Sequence, residues 1–109
     1  MKTKINKNKC MSSEELDDVI QTNDPAVFSV RAPGKNWLIV HRTSEGKFAL
    51  IESVPEGFVI RDVYDDAEQA CLAAWDLATD DYAGGVINVF PEDGLRYIEA
   101  KYGVKNDQS

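Results

Sequence analysis

Histidine occurs once in this chain and cysteine twice, and 12 basic residues stand against 19 acidic ones. Each scarcity narrows the range of functions. Catalysis by the lone His41 would require a nucleophile or carboxylate beside it, and the sequence names none. Cys10 lies in a polar N-terminal segment and Cys71 in an apolar helical pattern, so the pair suggests neither a disulfide framework nor a thiolate cluster. This cysteine usage fits a reducing, cytoplasmic compartment. No apolar run approaches the ~20 residues of a membrane span. No apolar stretch follows Lys2, Lys4, Lys7 and Lys9, as a secretory signal would require. Neither a cofactor nor a membrane partner is expected.

The shortage of basic residues is uneven. The formal charge is −7, yet the first nine residues carry +4 and the remaining hundred carry −11. Phosphate backbones demand Lys and Arg, so a body of this sign argues against direct nucleic-acid binding. It favours attraction to basic protein surfaces. The acidic pairs Asp17-Asp18, Asp65-Asp66 and Asp80-Asp81 splay apart on a helix. They also lack the spacing of a calcium loop, so no metal site is expected. Gly84-Gly85 precedes a strand rather than opening a helix and has no Lys after it, which excludes a phosphate loop.

What is present is a single small domain with a 43% hydrophobic fraction, which is globular in character. Residues 1–9 are polar and aperiodic and read as a disordered basic arm. Residues 10–103 form one α+β domain, and 104–109 fray. Ser12–Gln21 is expected as a first helix, with Ser12 and Glu15 forming a capping box and Met11 stapled onto Leu16. Four strands are expected next, at Ala26–Ala32, Trp37–Thr43, Lys47–Ser53 and Phe58–Tyr64. The turns between them are Pro33-Gly34, Ser44-Glu45-Gly46 and Pro55-Glu56-Gly57, and connections this short imply an antiparallel meander. A fifth strand, Val86–Phe90, and a last helix, Glu92–Tyr102, close the chain. The expected fold is thus a four- to five-stranded, mainly antiparallel sheet. A central helix packs on one face, and short helices lie at both ends.

The run Phe58–Tyr82 organises this arrangement. After Arg61 it holds seven acidic residues and no basic one. Asp65 reads as the N-cap of the central helix, with Glu68 completing a capping box. At about 100° per residue, Ala67, Ala70, Cys71, Ala74, Trp75, Leu77 and Ala78 gather on the sheet-facing side. Glu68, Leu72, Asp76 and Asp80 form an i, i+4 row on the other side, an acidic contact surface with Leu72 as apolar anchor. The second strand supplies another candidate surface. Leu38 and Val40 point one way, and Trp37, Ile39 and His41 the other. Both faces are therefore apolar, and either helices cover both or one is left partly open.

These features point to a small, acidic, non-enzymatic protein-binding protein. It would be an inhibitor or immunity-type protein occupying a basic surface of the kind that binds nucleic acid. Its contacts would come from Glu68, Leu72, Asp76 and Asp80, and from Trp37, Ile39 and His41. Two alternatives stand beside this reading. One is a small metal-dependent or His-dependent enzyme using His41 and nearby carboxylates. The other is a homodimeric subunit associating through an open sheet face.

Overall fold

The computed structural model describes residues 7–21, 23–24, 26–32, 34–79, 88–90, 97–98 and 100. The elements are β1 (Cys10–Met11), α1 (Ser13–Asp17), β2 (Phe28–Arg31), β3 (Leu38–Arg42), β4 (Phe48–Val54), β5 (Gly57–Tyr64), α2 (Ala67–Thr79) and β6 (Asn88–Phe90). The strands form one antiparallel sheet in the order β1-β5-β4-β3-β2-β6. The class is α+β, as the residue patterns imply. Of the last expected helix, Tyr97, Ile98 and Ala100 are helical. The rest of Glu92–Tyr102 lies outside the described residues.

The core of the sheet is the meander β2-β3-β4-β5, and its turns follow the sequence closely. The Lys35 N–H donates to the Ala32 carbonyl at 3.0 Å, and Gly34 sits at φ 79°. That is the left-handed position a glycine supplies in a turn of this kind. The Thr43 hydroxyl accepts from the Lys47 N–H at 3.0 Å and from the Glu45 N–H at 3.3 Å, which closes the next turn. The third turn is tighter than expected. Pro55-Glu56 alone makes it, and Val54 already pairs with Gly57.

The sheet has six strands where four or five were expected. The added strand, β1, spans only Cys10–Met11, too short to show any alternation in sequence. It pairs through Cys10 with Val59 and through Met11 with Phe58. Gly57 makes this possible. A Cβ there would collide with the Met11 carbonyl oxygen, and Gly57 adopts φ 151°. Just ahead of β1, the Asn8 N–H donates to the Ile60 carbonyl at 2.9 Å, and Lys7 Nζ lies 3.4 Å from Asp62. Lys7 and Asn8 of the basic segment thus meet β5, while residues 1–6 lie outside the described residues.

The first helix is shorter than its apolar stripe suggests. Its capping box is formed as expected. The Glu15 N–H donates to Ser12 Oγ at 3.2 Å, and the Ser12 N–H donates to the Glu15 carboxylate at 3.0 Å. Helix α1 nevertheless stops at Asp17, because the following backbone pairs with the end of β3. Gln21 N–H donates to Arg42 O at 2.8 Å, and Ser44 N–H donates to Val19 O at 2.8 Å. Val19 and Ile20 keep their apolar role but contribute it from a turn and from a bridge to Thr43.

Two hydrophobic clusters lie on opposite faces of the sheet. One joins Phe28, Val30, Leu38, Val40 and Leu50 to Ala70, Cys71, Ala74 and Ala78 of α2, with Ile98 beside them. The small α2 residues let that helix lie close to the strands. The other joins Met11, Leu16 and Val19 to Ala49, Ile51 and Ile60. Strand β3 is apolar on both faces because both faces are covered, one by α2 and one in part by the α1 segment.

Candidate interaction surfaces

Helix α2 is entered one residue later than the sequence suggests. Asp66, not Asp65, caps it, because Asp66 Oδ1 accepts from the Gln69 N–H at 2.8 Å. The capping position therefore falls to Gln69 rather than Glu68. Asp65 instead pairs with Lys47 at 2.8 Å, and that hydrogen bond holds its carboxyl below the usual carboxylate range.

The exposed side of α2 is also rotated relative to expectation. Glu68 and Asp76 are exposed. Leu72, expected to point away from the sheet between them, is half-buried against the cluster containing Ile98. Leu77, expected on the sheet-facing side, is 41% exposed. The helical wheel assigned the inner face by apolarity alone. The observed inner arc is the narrower set Ala70, Cys71, Ala74 and Ala78, so Leu77 falls at its outer edge. Asp80 lies outside the described residues.

Beside Leu77 runs a cleft of about 590 Å³ between the C-terminal half of α2 and the strands, lined in part by Leu38, Glu52, Arg61, Leu77 and Ala78. Its polar wall is a network centred on Glu52. Asn36 Nδ2 donates to Glu52 Oε2 at 2.8 Å. Arg61 reaches Glu52 Oε1 through Nε at 2.8 Å and Nη2 at 2.6 Å. Arg61 Nη1 also donates to Asn8 Oδ1 at 3.0 Å. Arg61 can do this because it is the extra residue of a bulge: Leu50 pairs with Asp62 and Ile51 with Ile60, leaving Arg61 unpaired between them. Burial pushes the Glu52 carboxyl up, but the hydrogen bonds from Asn36 and Arg61 outweigh it and hold the group below its ordinary value. Opposite charges across a hairpin are visible in sequence. The bulge that aims Arg61 is not.

The second predicted surface divides in two. His41 is 8% exposed, and its Nδ1 lies 3.0 Å from the Arg42 carbonyl oxygen, a main-chain contact that suits a structural imidazole. Ile39 is half-buried at the margin of the α1-side cluster. Trp37 is half-buried and stacks under Arg31, whose guanidinium carbon is 5.7 Å from the ring centroid. The sequence reading did not single out Arg31. Its position opposite Trp37 depends on the register of β2 and β3.

Burial pushes the Cys71 thiol up to about 12, so it stays protonated and non-nucleophilic at neutral pH. Among the described residues no group of three or more His, Cys, Asp or Glu side chains is placed to hold a metal ion. No helix among them is long and apolar enough to cross a membrane. Comparison with protein families, curated proteins and solved structures finds no match to this chain.

Proposed function

We propose that this chain is a small acidic protein-binding protein without catalytic activity. It acts as an inhibitor or immunity-type protein that covers a basic surface of its partner. The observation that carries this reading is the set of exposed side chains on α2. There Leu77 is the exposed large apolar side chain among the described residues, on the same helix as exposed Glu68 and Asp76. An exposed apolar side chain on a helix that also carries exposed acids supplies an anchor and a steering charge together. The net charge of −7 supports a basic partner over nucleic acid or an anionic membrane. Two free cysteines accord with a cytoplasmic setting. The anchor proposed is Leu77 in place of Leu72.

The test begins with a partner isolated from the native host, followed by on- and off-rates at two salt concentrations. Glu68→Gln with Asp76→Asn should slow association several-fold and flatten its salt dependence. Leu77→Ala should raise the off-rate by roughly tenfold, about 1.4 kcal/mol. Rates unchanged in both variants would overturn the reading, as would a turnover activity abolished by His41→Gln.

A further inference from the structure

Among the described residues, the cover on the α1 side of the sheet is incomplete. Leu16 and Val19 are buried with Ala49, Ile51 and Ile60, which leaves one end of this face less protected. At that end Arg31, Trp37, Ser53 and Phe58 are all half-buried. They form a row across β2, the residue preceding β3, and strands β4 and β5. Arg31 Cζ lies over Trp37, the Ser53 N–H donates to the Trp37 carbonyl at 2.9 Å, and Ser53 pairs with Phe58. Trp37 belongs to neither hydrophobic cluster.

Arg31 is the anomaly in this row. In a chain with 19 acidic residues it meets no carboxylate among the described residues. Its Nε is shut off from water and has no hydrogen-bond partner. Arg61, by contrast, is bonded to both Glu52 and Asn8. A desolvated guanidinium donor without an acceptor is costly, and stacking on an indole does not satisfy it. Arg31 is only half-buried while its Nε is shut off from water, so the outer end of the guanidinium is the part a carboxylate can reach. Beside it lies the Trp37 ring, with Ile39 two residues further along the same side of the sheet.

We propose that this row is a docking surface for an acidic peptide segment. A carboxylate of that segment takes the Arg31 guanidinium, and an adjoining apolar side chain lies on Trp37 and Ile39. Charge complementarity selects this occupant, because among the described residues the row presents a cation without an ion pair and no carboxylate of its own. The surface is separate from α2 and does not depend on the function proposed for that helix.

Trp75→Phe leaves Trp37 as the sole tryptophan and makes its emission the reporter. The probe is an acetylated, amidated hexapeptide of alternating Leu and Glu, compared with its Leu-Gln counterpart. The Glu peptide should shift Trp37 emission saturably, and the Gln peptide should bind at least tenfold more weakly. Arg31→Gln should weaken the Glu peptide at least tenfold, with Arg31→Lys recovering part of the loss. On the unsubstituted chain, the peptide should move the Arg31 Nε–H resonance, a readout that does not depend on any variant folding. Equal binding of the two peptides, or an unmoved Arg31 resonance, would overturn the proposal. So would an emission shift that tracks protein concentration together with a doubled mass in light scattering, because a second copy would then cover the row.

Discussion

Glu52 ties together three parts of the chain that are distant in sequence. Asn36 reaches it from the β2–β3 turn, Arg61 from the bulge in β5, and Asn8 joins through Arg61. Its side chain is 20% exposed, so the ion pair is not merely a surface contact. The lowered pKa has a consequence for stability. An unfolded glutamate takes up its proton near about pH 4.3, while folded Glu52 holds out to lower pH. The stabilisation is therefore fully present above about pH 4.3 and is lost as pH falls through the folded value. Glu52→Gln should lower stability at neutral pH and flatten the acid limb of the stability curve. Chemical denaturation of both proteins at a series of pH values checks this. Parallel acid limbs would show that Glu52 is not a titrating contributor. Asp62, Asp65 and Glu15 are lowered as well, so the difference between the two curves, rather than either curve alone, isolates Glu52.

At the scale of elements, the two helix starts show what sequence can and cannot resolve. The Ser12–Glu15 box is a local pattern of side chains three residues apart, and it forms as read. In α2 two adjacent aspartates compete for the cap, and tertiary contact decides between them. Lys47 claims Asp65, which leaves Asp66 to accept from Gln69. Asp66→Ala should therefore cost about 1 kcal/mol, the usual worth of an N-cap. Asp65→Ala should cost clearly less, since it loses an exposed ion pair. Thermal melts of the two variants decide the assignment, and the reverse ranking would return the cap to Asp65. The same division runs through the fold. The meander strands were legible because alternation and Pro/Gly turns are local signals. Strand β1, the early stop of α1 and the bulge at Arg61 were not, because hydrogen bonds to a distant strand set each of them. On the candidate surfaces, Glu68 and Asp76 are exposed as read. Leu72 and Leu77 exchange roles because the inner arc of α2 is set by what it packs against, including Ile98.

For the molecule as a whole, the distribution of charge matters more than its total. The hundred residues from Cys10 onward carry −11, and the first nine offset part of this with +4. Two of those cations are placed against acids of the body, Lys7 at 3.4 Å from Asp62 and Lys9 at 3.9 Å from Glu15. Both pairs are solvent-exposed, so salt should screen them readily. The contact that salt leaves intact is the Asn8 N–H bond to Ile60, with the Asn8 side chain held by Arg61. Lys7→Gln with Lys9→Gln should therefore change the melting temperature little at physiological salt. Deleting residues 1–9 removes the backbone bond and the Asn8–Arg61 contact as well. One net hydrogen bond is worth about 0.5–1.5 kcal/mol. In a domain of this size that corresponds to a fall of roughly 5 °C. The drop should persist at high salt, where only the ionic share is lost. Calorimetry at low and high salt on both variants separates the two contributions. A deletion that melts with the full chain would show that β5 does not need this segment. A loss that vanishes in salt would assign it wholly to the lysines.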